Sequence, residues 1–411
     1  MKKFAISILT LTIFVSIFLS GCAEEEPRHK NMPVSVFIKN VVTSQNERTI
    51  DQSIDALISI GGPAVPYIQK AWKKNDDATV RCRFCYVIEG IGPAASSMVP
   101  YLIKALDEIE EQRISCAALA LGGIGEASAP ASAKLGQLLR SSDTLTQSNI
   151  LYALGSIGSE AADQIPLVME AVDRDKTREI AIQALSGMGL EAVKAVEGWL
   201  ESGDNDQRLA ACQVLSEAGE EVAAVLPGLT KALKDKSPNV RLAAVKAIAQ
   251  AGPLALPVED DLIAALADKN DNVHREAINA LGKLGFESTP KLVKALDSRN
   301  SRTREGAARA IGRYTDRIEV AKPKLLTLLS DSNVNVRLAV IDALTNSGPS
   351  IVPTMIRQLK SSNVIRRFSA ARILGNLGDE SKDAIPELRK MLNDKDSLLR
   401  EEAQRALAKI Q

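Results

Sequence analysis

Apolar residues in this chain come in short stripes of helical spacing, each broken by a few polar positions. In the stretch 226–252, Leu226, Leu229 and Leu233 share one helical face before "KDKS" interrupts the pattern. Val240, Ala243, Ala244, Ala247 and Ile248 then form a second stripe. Pro227 suits a first turn, where a missing N–H costs nothing. Ser237 followed by Pro238 reads as a cap and a first-turn residue. Gly252 closes the second helix in the left-handed conformation that glycine adopts cheaply. The pattern predicts two short helices.

Nearly the same text returns at 77–92, 270–285 and 333–348. The closing glycines Gly92, Gly125 and Gly158 are 33 residues apart, as are Gly219, Gly252 and Gly285. Gly189, Gly348 and Gly378 continue the series, and Thr315 stands in once. Asp77, Asp143, Asp204, Ser237, Asn270, Asn300, Asn333, Asn363 and Asp396 align as candidate caps of the second helices. Pro33, Pro66, Pro100, Pro166, Pro227, Pro290, Pro323, Pro353 and Pro386 open the first helices, giving about twelve pairs from Pro33 onward. A short period sustained to the last residue predicts an all-α solenoid. Helices this short are marginal alone, so each pair must bury its stripe against the next.

Composition agrees. Aromatic residues are 3% of the 411, which argues against sandwiches and barrels. Lys and Arg number 51 against 51 Asp and Glu, so no global pull toward nucleic acid follows. Valine-arginine, alanines, leucine, glycine and then a proline-led helix together resemble HEAT repeats, and the short period is similar to the subtype named after phycobilin lyases. The likeness covers residues 33–411 and implies a right-handed α-solenoid of about twelve helix pairs.

One column of the repeat holds Arg81, Arg178, Arg208, Arg241, Arg304, Arg337, Arg367 and Arg400, with Ile114, Gln147 and His274 as departures. In HEAT proteins such a column is a structural ladder. The expectation is that each arginine pairs with acids of the preceding turn, such as Asp235, Asp331 and Asp394.

The N-terminus differs. Lys2 and Lys3 precede an uncharged run from Phe4 to Leu19 and then "LSGC". This resembles the lipobox of bacterial lipoproteins, which implies a signal peptide over 1–21, a lipid on Cys22 and a flexible tether over 22–32. By the same resemblance, Ala23 leans toward the outer membrane. The expected location is the bacterial cell envelope, lipid-anchored in the outer membrane or facing the periplasm.

Candidate chemistry is sparse. The two histidines are His29, in the tether, and His274, in the arginine column. Neither sits in a triad-like or metal-binding pattern. No phosphate-binding glycine loop follows a strand. Cys82, Cys85, Cys116 and Cys212 leave three readings open: packed thiols, a disulfide joining Cys82 or Cys85 to Cys116, or a functional pair in "CRFC". No catalytic residue, metal, cofactor, small-molecule substrate or nucleic acid is implied.

The resemblance places binding on the concave face, lined by the second helices. Five residues past the arginine column stand Tyr86 and Tyr152 early, and Arg309 and Arg372 late. With Arg313 these are the candidate binding residues. Residues 302–372 carry an excess of eight positive charges, which suits an acidic partner. The expected function is a membrane-tethered, non-enzymatic scaffold for a protein partner. The alternatives are a phycobilin-lyase-like enzyme and a subunit of an envelope assembly or transport complex.

Overall fold

The structure, a computed structural model, describes residues 26–140 and 142–410. The signal-peptide region, Cys22 and Ala23 lie outside the described residues. The described chain is an all-α solenoid whose 24 α-helices form twelve consecutive pairs, from Val34–Thr43 with Glu47–Ile60 to Ile385–Met391 with Ser397–Ile410. It divides into two compact units, Met1–Val168 and Met169–Gln411.

Residues 26–32, read above as the end of the tether, form with Pro33 a small antiparallel hairpin of Arg28–His29 with Met32–Pro33. Pro33 has no side-chain acceptor to cap the helix behind it. Glu26 does that work instead, its Oε1 accepting from the Ser35 N–H at 2.6 Å. The His29 ring packs edge-on against Phe37.

Within each unit the second helices pack side by side. Their alanines and leucines are buried: Ala117, Ala118, Ala120, Leu121, Ala153 and Leu154 in the first unit, for example, are fully covered. The close approach is enforced by glycine, since a Cβ on Gly123 would stand 2.5 Å from the backbone of Glu89 one repeat earlier. Eight of the nine aligned cap residues accept a hydrogen bond from the helix they open. Ser237 does not; its own N–H donates to the Asp235 carboxylate.

All nine closing glycines have φ between +52° and +90°. Most lead into a 3-10 stretch, such as Gly92–Met98 or Gly252–Val258, before the next proline-led helix. This connecting turn is absent from the sequence expectation. Thr315 marks the main exception. No glycine turn is available there, so helix Thr315–Leu328 runs unbroken, with Pro323 inside it and not at its start.

The arginine column forms a ladder; Arg81 with Asp76 and Arg178 with Asp175 pair with the preceding turn as expected, but the acids expected for the others lie the other way. Each guanidinium first donates to backbone carbonyls of its own preceding turn: Arg241 to Asp235 O and Arg304 to Ser298 O, both at 2.8 Å. With that edge occupied, the other edge reaches forward to the acid of the following repeat. Arg81 holds Glu108, Arg208 holds Asp235, Arg241 holds Asp268, Arg304 holds Asp331 and Arg367 holds Asp394, each acid 27 residues ahead. Each rung therefore joins two successive repeats.

Burial alone would raise the carboxyls of Asp235, Asp268 and Asp331. Hydrogen bonds from the arginine and from the N–H two residues ahead outweigh it and hold them below the usual carboxylate range. Asp394 is held low mainly by the Asp396 N–H. Depressed carboxyls contribute stability that is complete above the unfolded value, about 3.9, and is lost as pH falls through the folded one. Urea midpoints of the chain should therefore be flat from about pH 7 to 5 and fall steeply below about pH 4. Asp268→Asn should cost about 2 kcal/mol at neutral pH and shrink the acid slope. A midpoint unchanged at both pH values would show that the rungs hold nothing.

Candidate functional site

No residue of the outward column on the second helices is buried. Tyr86, Tyr152, Gln183, Lys246, Arg309, Asp342 and Arg405 are exposed, and Leu119, Gln213, Asn279 and Arg372 are half-buried. A helix that packs against neighbours on both sides and a first helix behind leaves only this narrow strip to solvent.

In the first unit the strip carries Tyr86 on Ala78–Ile91 and Tyr152 on Thr144–Ile157, 48% and 40% exposed. Gly122 makes room for the second ring, because a Cβ there would lie 2.5 Å from it. Beneath this surface Cys82 and Cys116 are joined by a disulfide, with their Cα atoms 5.3 Å apart. Cys85, weighed above as a partner for Cys116, is instead a buried free thiol, and so is Cys212. Burial pushes both thiols far up, Cys212 to about 12, so neither is a nucleophile near neutral pH.

In the second unit the basic residues are more committed than their sequence positions suggest. Arg309 pairs with Glu305 at 3.1 Å, and Arg313 donates to Asn279. Arg372 forms a two-point bond with Glu402 at 3.0 and 3.1 Å while lying over the Phe368 ring. Glu402 lies 30 residues downstream of Arg372, beyond the segment whose charges gave the excess of eight. The basic strip is thus partly neutralised from the next repeat.

Sequence reasoning missed a groove of about 830 Å³ along helices Arg178–Gly187, Asn205–Glu217 and Pro238–Gln250. Gln183, Gln213 and Lys246 of the outward column line it, with Ser186, Gly187 and Ser216 beside them. The available signal was the run of small side chains three residues beyond the column, at Ser186 and Ser216, which leave space where larger ones would fill it.

Among the described residues no group of three His, Cys, Asp or Glu side chains is placed to hold a metal ion. His274 is buried, its Nδ1 2.7 Å from Leu266 O. It takes an arginine's place in the ladder.

The family model for HEAT repeats matches residues 193–258, 259–345 and 322–408. No curated protein matches the sequence significantly. Among solved structures, the karyopherin Kap121p bound to the extreme C-terminus of the phosphatase Cdc14p is 15% identical, with a TM-score of 0.51 over 100% of this chain and 52% of that one. Kap121p bound to the SUMO protease Ulp1p matches at 15% identity and TM-score 0.51, over 92% and 48%. An engineered protein matches at 22% identity over 92% of this chain and 98% of its own, with a TM-score of 0.31. The chain spans about half the length of the karyopherin, and the likeness is one of fold.

Proposed function

The chain belongs to the HEAT-repeat family, and we propose that it is a non-enzymatic scaffold that binds a protein partner along the exposed strip of its second helices. The observation that carries this reading is the strip itself. Large side chains such as Tyr86 and Tyr152 are held in the open by helices whose other faces are fully packed. Rigid, solvent-facing aromatic residues on a fixed scaffold are what contact surfaces use. The karyopherin of similar fold has been solved with protein segments bound, which is consistent with the same use here.

We further propose that a lipid on Cys22 holds the scaffold at a bacterial envelope, facing an extracytoplasmic space. The Cys82–Cys116 bond supports that placement, because such bonds persist in oxidising compartments.

A photo-cross-linking residue placed at Tyr86, Tyr152 or Gln213 in cells should yield one discrete adduct with a partner. The same residue at Val36 or Val320, exposed on first helices, should not. Equal labelling at both sets, or none at the first, would sink the scaffold reading.

A further inference from the structure

Among the described residues, one ladder arginine with a repeat after it has no acid: Arg337. Asp235, Asp268, Asp331 and Asp394 each do two jobs: the carboxylate accepts from the N–H two residues ahead and grips the arginine of the previous repeat. Ser298 and Ser361 stand in this column and keep only the first job, accepting from the N–H groups of Asn300 and Asn363. At Ser298 nothing is left over, because the residue that would need an acid there is His274, already bound to Leu266 O. At Ser361 the arginine remains. Arg337 donates one nitrogen to Asp331 O at 2.7 Å and Ser332 O at 3.2 Å, and it has no carboxylate partner among the described residues. The nearby Asp331 carboxylate is held at both oxygens by Arg304. Arg400 also lacks an acid, but no described repeat follows it.

Arg337 forms part of the wall of a hollow of about 230 Å³ that is otherwise largely apolar. Leu338, Val364, Ile365, Phe368 and Leu398 line it, and Leu398 is 62% exposed. Two other charged groups border it and both are engaged: Arg372 with Glu402, and Asp396 with the Leu398 N–H. An exposed apolar hollow beside one unneutralised guanidinium has a defined complement.

We propose that this hollow docks a partner-protein segment in which an Asp or Glu lies beside large apolar side chains, its carboxylate completing the empty rung at Arg337. The proposal rests on the scaffold reading and names the partner chemistry at one place on it. The aligned repeats show the geometry the ligand would adopt: a two-point bond from guanidinium Nε and Nη2, as Arg304 makes to Asp331 at 2.8 Å.

Random twelve-residue peptides displayed on phage are selected on the full chain, and enriched sequences are synthesised for fluorescence-polarisation titration. Enrichment of Asp or Glu within two positions of Leu, Ile or Phe is expected. Affinity should fall at least tenfold when that acid becomes its amide, and equally in Arg337→Met. Ser361→Asp is the sharper variant, since it supplies the rung's own acid. It should raise the melting midpoint of the chain and at the same time abolish peptide binding, which a misfolded variant would not do. Peptides without a carboxylate, peptides that bind Arg337→Met or Ser361→Asp as tightly as the parent, or no enrichment at all would each overturn the proposal. A discrete adduct from Tyr86 alongside any of those results would leave the scaffold reading intact.

Discussion

Arg317→Met is expected to destabilise the second unit by about 3 kcal/mol, an unusually large loss for one residue outside the apolar core. Arg317 is 2% exposed, with no salt bridge among the described residues. Its guanidinium donates to the carbonyls of Leu281 at 3.2 Å and Gly282 at 3.1 Å, and to that of Gly285. The Leu281 and Gly282 carbonyls sit at the end of helix Asp271–Lys283, where no intrahelical donor reaches them and the helix dipole favours a cation, while that of Gly285 also accepts from the Ser288 hydroxyl. Tyr314 covers the other side, 4.7 Å from ring centre to guanidinium carbon. Burial draws the guanidinium below its usual pKa, while Tyr314, Glu259 and Glu287 pull it back up. Two effects oppose each other in the variant. Each orphaned buried carbonyl costs about 1–3 kcal/mol, and no longer burying a cation returns several kcal/mol. Two acceptors left without a partner, against one cation already favoured by the dipole and the ring, leave a net loss. Arg317→Lys should lose about half as much, since a point charge cannot serve a fork of three oxygens. Urea titration gives the size, and amide exchange at residues 281–289 gives the place. A methionine variant as stable as the parent would mean that water reaches those carbonyls.

Legibility follows the range of the forces involved. Caps, closing glycines and proline starts act within a few residues of themselves, so the helix pairs and their count could be read from spacing. Thr315 shows the limit: a missing glycine signalled an irregular repeat, but not that the helix would run on through Pro323 or that Arg317 on it would be buried. The ladder was visible as a column, yet its direction was not. An arginine has acids in the turn before it and in the turn after it, and only the backbone carbonyls that occupy its first edge decide between them. Arg372 looked like an open binding residue because Glu402 is a full repeat away. Ser361 was visible all along, but a serine in an acid column means nothing until the column is known to bond forward. Sequence therefore carried the scaffold, and the contacts between repeats carried the candidate sites.

Breaking the Cys82–Cys116 bond is expected to cost the first unit about 3–4 kcal/mol. The two cysteines are 34 residues apart and belong to the adjacent second helices Ala78–Ile91 and Glu111–Ile124. Closing a loop of that length removes denatured-chain entropy of about that size. A solenoid adds a second consequence. Its repeats hold one another only through neighbouring interfaces, so unfolding can enter at an end and move inward one interface at a time. A covalent link across one interface forbids that step there, and the parent should unfold more cooperatively than Cys82→Ala/Cys116→Ala. In denaturant, alkylation before reduction should label Cys85 and Cys212 but neither bonded cysteine, and reduction should expose both. Reductant should lower the urea midpoint of the parent and leave the double variant unmoved. If the variant instead matches the oxidised parent, the interface is held by packing alone, and Ala117, Ala118 and Leu121 carry it without the bond.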